Sequence, residues 1–272
     1  MQVADLNTWE ELIRKVDELR DMRKTTGLHY GTETSPFLYR GQADTCWDLS
    51  STLERHVSMP YSFREYFRLV SSVHPQMETF TNRRWPLPSY PSLGRWTTKY
   101  DNLKLKSLPG YEFLIYLRHH GFPSPLLDWS RSLHVAAHFA FAEAKSDRVA
   151  IFIFWETTGV GKTTSSNAPQ IRTYGPYVRS HMRHFVQQSE YSVSAQFQDG
   201  QWQFAPYEQT PSTYELSLQD KLYKLTIPTT ERLRVLALLD SMNVNALSLF
   251  NSEDALARTL ALRELTLRGH EL

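Results

Sequence analysis

The chain has 272 residues, 41% of them hydrophobic and 22% charged, enough for one large domain with a substantial core. Its formal net charge is +1, so a nucleic-acid site has to be a local basic patch and not a property of the whole molecule. Cys46 is the single cysteine, which excludes an internal disulfide. The acidic N-terminal stretch lacks the apolar run of a secretion signal, and no segment approaches the roughly 18 apolar residues of a membrane span. These features predict a cytoplasmic protein with no membrane partner.

In chain order, Asn7 or Thr8 can cap a helix whose apolar positions Trp9, Leu12, Ile13, Val16 and Leu19 recur at helical spacing. The short aromatic run FLYRG, between Pro36 and Gly41, predicts a strand. Residues 61–81 predict a helix with Phe63, Tyr66, Phe67 and Val70 on one face. Residues 82–110 are proline-rich and read as a long loop insertion. Tyr111 to His120 predicts a helix ended by Gly121, and Leu133 to Ala144 another. Val149 to Trp155 predicts a fully buried strand. A polar, Thr/Ser-rich excursion follows over residues 156–176, then a strand over Lys221 to Ile227 stopped by Pro228. The last 40 residues are helical, interrupted around Asn243 to Asn251. The pattern is one α+β domain with long insertions.

Several motifs carry chemistry weakly. His134 and His138 have the i, i+4 spacing of a zinc-binding helix, but Val135 stands where a zincin has its general base, so a structural role is expected and no metal. GVGKTT at 159–164 suggests a phosphate loop, yet Glu156 occupies the position of the required first glycine; a solvated loop is expected instead. No G-x-S-x-G nucleophile elbow is present. Two stretches say more. Arg40 ends an aromatic strand and is followed by Gly41, which permits close approach of backbone and ligand; its guanidinium either grips a phosphate or pairs with a carboxylate such as Asp128. Asp128, flanked by Leu126, Leu127 and Trp129, is expected to be buried with a partner or to cap the helix beginning near Ser132.

Together these stretches resemble the FRG domain family. Phe37-Leu38-Tyr39-Arg40-Gly41-Gln42 is similar to its opening motif, and Trp47-Asp48-Leu49 through Leu53 and Arg55 to its continuation. The family's central block, roughly Gln-His-x-Gly-x-Pro-Thr-Arg-Leu-Leu-Asp-Trp-Thr, resembles Arg118-His119-His120-Gly121-Phe122-Pro123-Ser124-Pro125-Leu126-Leu127-Asp128-Trp129-Ser130, with Ala136, Phe139 and Ala140 in the helix after it. A third block is similar to Arg183 to Gln187, Ser189, Tyr191 and Ser192, and Leu249-Phe250 resembles the family's Leu-Phe-Pro element. The chain departs from the pattern at Arg118, at Ser124-Pro125 and at Ser189, which marks a divergent member.

The resemblance implies a place in the ADP-ribosyltransferase superfamily, hence a split, twisted, mainly antiparallel β-core flanked by helices and long loops. Residues 1–36 are then an N-terminal helical extension and 37–272 the FRG-like domain. It implies NAD as co-substrate and no metal, with Arg40, Ser130 and Gln187, or Glu190 as an alternative to Gln187, in catalytic positions. Tyr39, Arg40, Gly41, Gln42, His119, Asp128, Trp129 and Ser130 are the implied NAD-binding set. The implied activity is mono-ADP-ribosyl transfer to a macromolecule by a toxin-like or phage-defence effector, for which an antitoxin protein is an implied partner; the alternative is a non-catalytic ligand- or nucleic-acid-binding module. Arg83, Arg84, Trp85, Arg95, Trp96 and Lys99 alternate cations with aromatics as a single-stranded nucleic acid requires, and Arg179, His181, Arg183 and His184 add positive charge before the third block. RNA or DNA is therefore preferred to protein as acceptor, with a proline-rich loop folded over the core as the competing reading of 82–110.

Overall fold

The hydrophobic run Val149–Trp155 forms the middle of β5 (Arg148–Thr157), and every side chain in it is buried. An unalternating apolar run suits a strand covered on both faces. Val149, Ile151, Ile153 and Trp155 enter one core, and Ala150, Phe152 and Phe154 another. The computed structural model describes residues 1–30, 34–99, 108–158, 162, 168–176, 182–212 and 219–268.

Strand β5 lies between β9 (Gln219–Pro228) and β2 (Leu38–Gln42), antiparallel to both. The sheet continues outward from β9 to β1 (Gln2–Asp5). On the other side β2 leads to β4 (Leu127–Ser130), β7 (Ser189–Gln198), β8 (Gln201–Phe204) and β3 (Tyr61–Ser62), and β6 (Gln170–Tyr174) pairs with β7, which follows the short helix α6 (Met182–Val186). Only β1 and β9 run parallel among the described pairings. The sheet curls into a half-barrel.

Helix α1 (Trp9–Tyr30) buries Trp9, Leu12, Val16 and Leu19 against α5 (Leu133–Ala142), α7 (Arg232–Ser241) and one face of β5. Residues 1–30, the bulk of the expected extension, are thus built into the domain: β1 widens its sheet and α1 closes its core. A second core packs α2 (Phe63–Thr81), α3 (Tyr90–Thr97) and α4 (Tyr111–His119) onto β7 and β8. The C-terminal helices are broken where Asn243 and Asn251 take positive φ, 59° and 46°, the left-handed conformation that stops a helix. Asn245 and Ser252 then cap α8 (Ala246–Phe250) and α9 (Glu253–Ala261) through their side chains. No described helix is long and apolar enough to cross a membrane.

Two expectations are corrected. Residues 82–110 are not all loop: Pro91, in the first turn, pre-sets φ for α3, which buries Leu93 and Thr97. The excursion after β5 holds strand β6, and Lys162 is not solvated. It is 5% exposed and ion-paired to Asp220 and to Glu156 (3.0 Å), while also donating to the Ile171 carbonyl. The rest of GVGKTT lies outside the described residues.

Candidate functional site

The sheet is continuous between β2 and β5, with five registered pairs from Leu38↔Phe154 to Gln42↔Ala150, but between β2 and β4 it holds by one pair, Tyr39↔Ser130. Beyond that pair the ladder is lost, leaving Arg40–Gln42 without a strand partner on that side. A central strand with open backbone is costly unless other groups fill the gap. Arg40 does so: its Nη1 donates to the Asp128 carbonyl (2.9 Å) and to the Asp128 carboxylate (2.6 Å). Arg118 of α4 donates to the same carboxylate oxygen. The side chains of Arg40 and Arg118 are 17% and 12% exposed, that of Asp128 42%. Burial works against the Asp128 carboxylate, but the Arg118 and Arg40 guanidiniums outweigh it and hold its pKa well below the usual carboxylate range.

The expectation that Arg40 either grips a ligand or pairs with Asp128 thus resolves, for its Nη1, as the ion pair. Arg118 stands where the family pattern has glutamine, and Pro125 where the pattern has arginine. The chain loses one guanidinium beside this block and gains another, which reaches Asp128 from α4.

A cleft of about 280 Å³ opens at the split. Its lining includes Tyr39, Arg40, Gly41, Gln42, Asp128, Trp129, Ser130, Gln187 and Ser189, so β2, β4 and the approach to β7 meet there. Gly41 is needed for a different reason from the one expected. A Cβ at this position would sit 1.9 Å from the Ala136 carbonyl oxygen and 2.7 Å from the Ala140 nitrogen, so the glycine admits α5 against β2. Gln42 is 4% exposed and donates to the Asp48 carbonyl (3.2 Å), while its Oε1, like Arg40 Nε, is buried with no hydrogen-bond partner among the described residues. Ser130 Oγ donates to the Gln187 carbonyl (2.8 Å) and accepts from Ser132 N (3.0 Å), stitching β4 to the turn before β7. Gln187 Nε2 donates to the Leu249 carbonyl (3.0 Å), which ties the Leu249-Phe250 element to the cleft, and Phe250 packs edge-on against Phe139.

Other expected site residues lie elsewhere. Glu190 sits opposite Trp129 on the strand face turned away from Ser130 and Ser189, is 5% exposed and ion-pairs with Arg131. Burial raises its pKa against the pull of Arg131. It does not line the cleft, and neither does exposed His119, whose Nε2 meets the Tyr191 hydroxyl at 2.8 Å. His134 packs against Trp9, and His138 is buried. In the proposed acceptor region Arg83, Arg84, Arg95 and Lys99 are exposed, but Trp85 packs on Phe113 and Tyr116, and Trp96 on Phe63 and Phe67. The aromatics belong to the second core, so the cation–aromatic interleaving does not form a stacking platform. Arg179 and His181 lie outside the described residues; Arg183 is placed over the Phe250 ring, and His184 is buried.

Four exposed residues at the cleft mouth, Trp47, Arg55, Glu143 and Lys145, were not assigned to the site by the sequence, although Trp47 and Arg55 lie in the continuation of the opening motif. Trp47 is 45% exposed, with the Lys145 ammonium 5.7 Å from its ring centroid. Its signal was a tryptophan in the polar stretch Ala43–Asp48, where no apolar periodicity calls for a core residue. Glu143 is loosely paired with Arg258 at 3.5 Å.

Residues 35–148 match the family model of the FRG domain, which supports the family over that stretch. The match includes β2, α4, β4 and α5 and ends before the Gln187–Ser189 wall. No curated protein and no solved structure gives a significant match to the chain.

Proposed function

We propose that this protein is an NAD-dependent mono-ADP-ribosyltransferase of the toxin-like or defence-effector kind, with NAD held in the split between β2 and β4. The observation that carries the reading is the convergence of Arg40, Asp128, Ser130 and Gln187, from three parts of the chain, on one cleft at a gap in an otherwise paired sheet.

The cleft is at the small end of ligand pockets, which run roughly 300–1,000 Å³. It has room for the nicotinamide riboside half, and the ADP half would run out over the mouth. There Trp47 offers a stacking face, and Arg55 and Lys145 offer cations for the pyrophosphate. The reaction breaks the bond between ribose C1′ and nicotinamide, whose nitrogen leaves with the electron pair, and joins C1′ to a nucleophile of the acceptor, which gives up a proton. Gln187 Oε1, on an amide anchored through Nε2, can accept from a ribose hydroxyl and orient the ring. Asp128, held by two guanidiniums, is too weak a base to take the proton. Glu190 is turned away. Glu143 at the mouth is the lining carboxylate left for that task. A protein or nucleic-acid acceptor would reach C1′ from that side.

The non-catalytic alternative is favoured by one observation: the Ser130 hydroxyl and the Glu190 carboxylate, both assigned to catalysis by the family pattern, are engaged in structural contacts. Incubation of the full chain with labelled NAD and separate RNA, DNA and protein pools separates the two readings. The transferase releases nicotinamide and labels one pool, and Arg40→Lys, which keeps the charge but not the planar fork, loses most of both signals. Saturable NAD binding without turnover supports the binding module. Neither binding nor turnover refutes the NAD reading altogether.

A further inference from the structure

A second cavity, of about 480 Å³, opens beside the cleft, and Phe139 and Glu143 of α5 line both. Its other walls come from α7, α8, α9 and the residues after α9. Leu236, Ala246, Phe250, Ala261, Leu262 and Leu265 make it largely apolar. Leu262–Leu267 is π-helical, a rare form often found at functional sites.

The charged side chains in this lining are Arg232, Arg258 and Glu143, two cations against one anion. Arg258 and Glu143 face each other at 3.5 Å and offset one another. His138 adds no charge, because burial pushes its pKa down to about 4, and its Nδ1 is closed off from the cavity. Arg232 therefore carries the net charge of the lining, and it forms no ion pair among the described residues.

Its Nε and Nη2 donate to the Phe141 and Ala142 carbonyls (2.8 and 3.1 Å), at the C-terminal end of α5. A helix end supplies roughly half an elementary charge of opposite sign, so it fixes the guanidinium without neutralising it. Those two bonds use one edge of the guanidinium fork. On its terminal edge Nη1 has no partner among the described residues and is not closed off by its neighbours. The paired N–H groups of that edge match the two oxygens of a carboxylate. An uncharged occupant would leave the cation uncompensated in an apolar wall. An anionic head group compensates it, while an apolar tail covers the leucine side chains.

We infer that this cavity binds an amphiphile whose carboxylate head sits on Arg232 and whose aliphatic tail lies along Leu236, Leu262 and Leu265. The site is independent of the NAD reading, because it lies outside the Arg40–Asp128 split.

The test uses the full chain with octanoate, 1-octanol and octylammonium as probes, read by calorimetry and by NMR of the alanine and leucine methyls. The expected result is one saturable octanoate site that shifts the methyls of Leu236, Ala246, Ala261 and Leu262. 1-Octanol should bind on the order of tenfold more weakly, and octylammonium more weakly still. Arg232→Gln, which keeps a donor for the α5 carbonyls but no charge, should bring octanoate down to the level of 1-octanol. Ala246→Trp, which fills the cavity, should abolish octanoate binding. If a variant fails to fold, the ranking of the three probes and the methyl map on the wild-type chain still decide. Absence of saturable octanoate binding, methyl shifts confined to other regions, equal binding of octanoate and 1-octanol by the wild-type chain, or an octanoate preference that survives Arg232→Gln each overturns the assignment.

Discussion

Asp128→Asn removes the charge that compensates two guanidiniums while keeping the side chain's shape. Breaking a fully buried ion pair by deleting one partner costs roughly 3–5 kcal/mol, because the other charge stays buried alone. Here two cations are stranded, with side chains 17% and 12% exposed, but the carboxylate itself is 42% exposed and water can reach the gap. That access lowers the expected cost to about 2–3 kcal/mol. In a chain of this size each kcal/mol moves Tm by about 2–4 °C, so the melt should fall by roughly 4–12 °C at pH 7. The pH dependence has a definite sign. The folded-state pKa of Asp128 lies below its unfolded value of about 3.9, so the carboxylate's contribution is fully present above that pH and is lost as pH falls toward the folded value. The gap between wild type and variant should therefore narrow below about pH 4. Thermal unfolding by circular dichroism, with urea titrations at neutral and acid pH, measures both effects. A variant melting within about 1 °C of wild type at pH 7, or a gap undiminished in acid, refutes the view that this carboxylate holds the split together.

Gly41→Ala should destabilise by at least about 2–3 kcal/mol in urea unfolding, because its Cβ meets backbone atoms of α5; a neutral result would mean that the helix can move away from β2. Lys162→Met strands Asp220 and Glu156 and should cost roughly 3–5 kcal/mol, read as a lower Tm; an unchanged melt places Lys162 in solvent. If the cleft transfers ADP-ribose, Glu190→Gln should leave nicotinamide release within about threefold of wild type, and Glu143→Gln should slow it by on the order of 10²-fold or more; the reverse order would restore Glu190 to the reaction. Neutralising Arg83, Arg84, Arg95 and Lys99 together should leave Tm nearly unchanged. It should weaken acceptor labelling, with a shallower salt dependence, only if the acceptor is a nucleic acid.

The elements legible in the sequence were those whose burial is one-sided or complete over many residues. The faces of α1 and α2 and the run Val149–Trp155 declare themselves by period. Strands β6, β7 and β8 were hidden for the opposite reason: β7 carries Ser, Glu and Tyr at buried positions, satisfied by contacts that no local pattern announces. Trp85 and Trp96 misled because a cation–aromatic alternation looks the same whether its aromatics face solvent or close a core. Only the tertiary placement of α2 and α4, which supply Phe63, Phe67, Phe113 and Tyr116, decides the matter.

Gln187 and Glu190 show most clearly where sequence stops. Both residue types suit a ribose hydroxyl, and they are three apart. Facing is decided by register, which pairs Ser130 with Ser189 and so turns residue 190 to the opposite side of the strand. It is decided also by Gln188, whose φ of 49° puts a non-glycine residue in the left-handed region at the turn into β7 and leaves Gln187 on the cleft side with Ser189. A one-residue slip of β7 against β4 would exchange the two faces, bringing Glu190 into the cleft and Ser189 out of it. Arg131 opposes that slip: it extends from the end of β4 to Glu190, and its backbone nitrogen is held by the Gln188 carbonyl at 3.0 Å. The same arginine thus favours this register and engages the Glu190 carboxylate away from the cleft, so residue 131 bears on which of the two side chains reaches it alongside the third block itself.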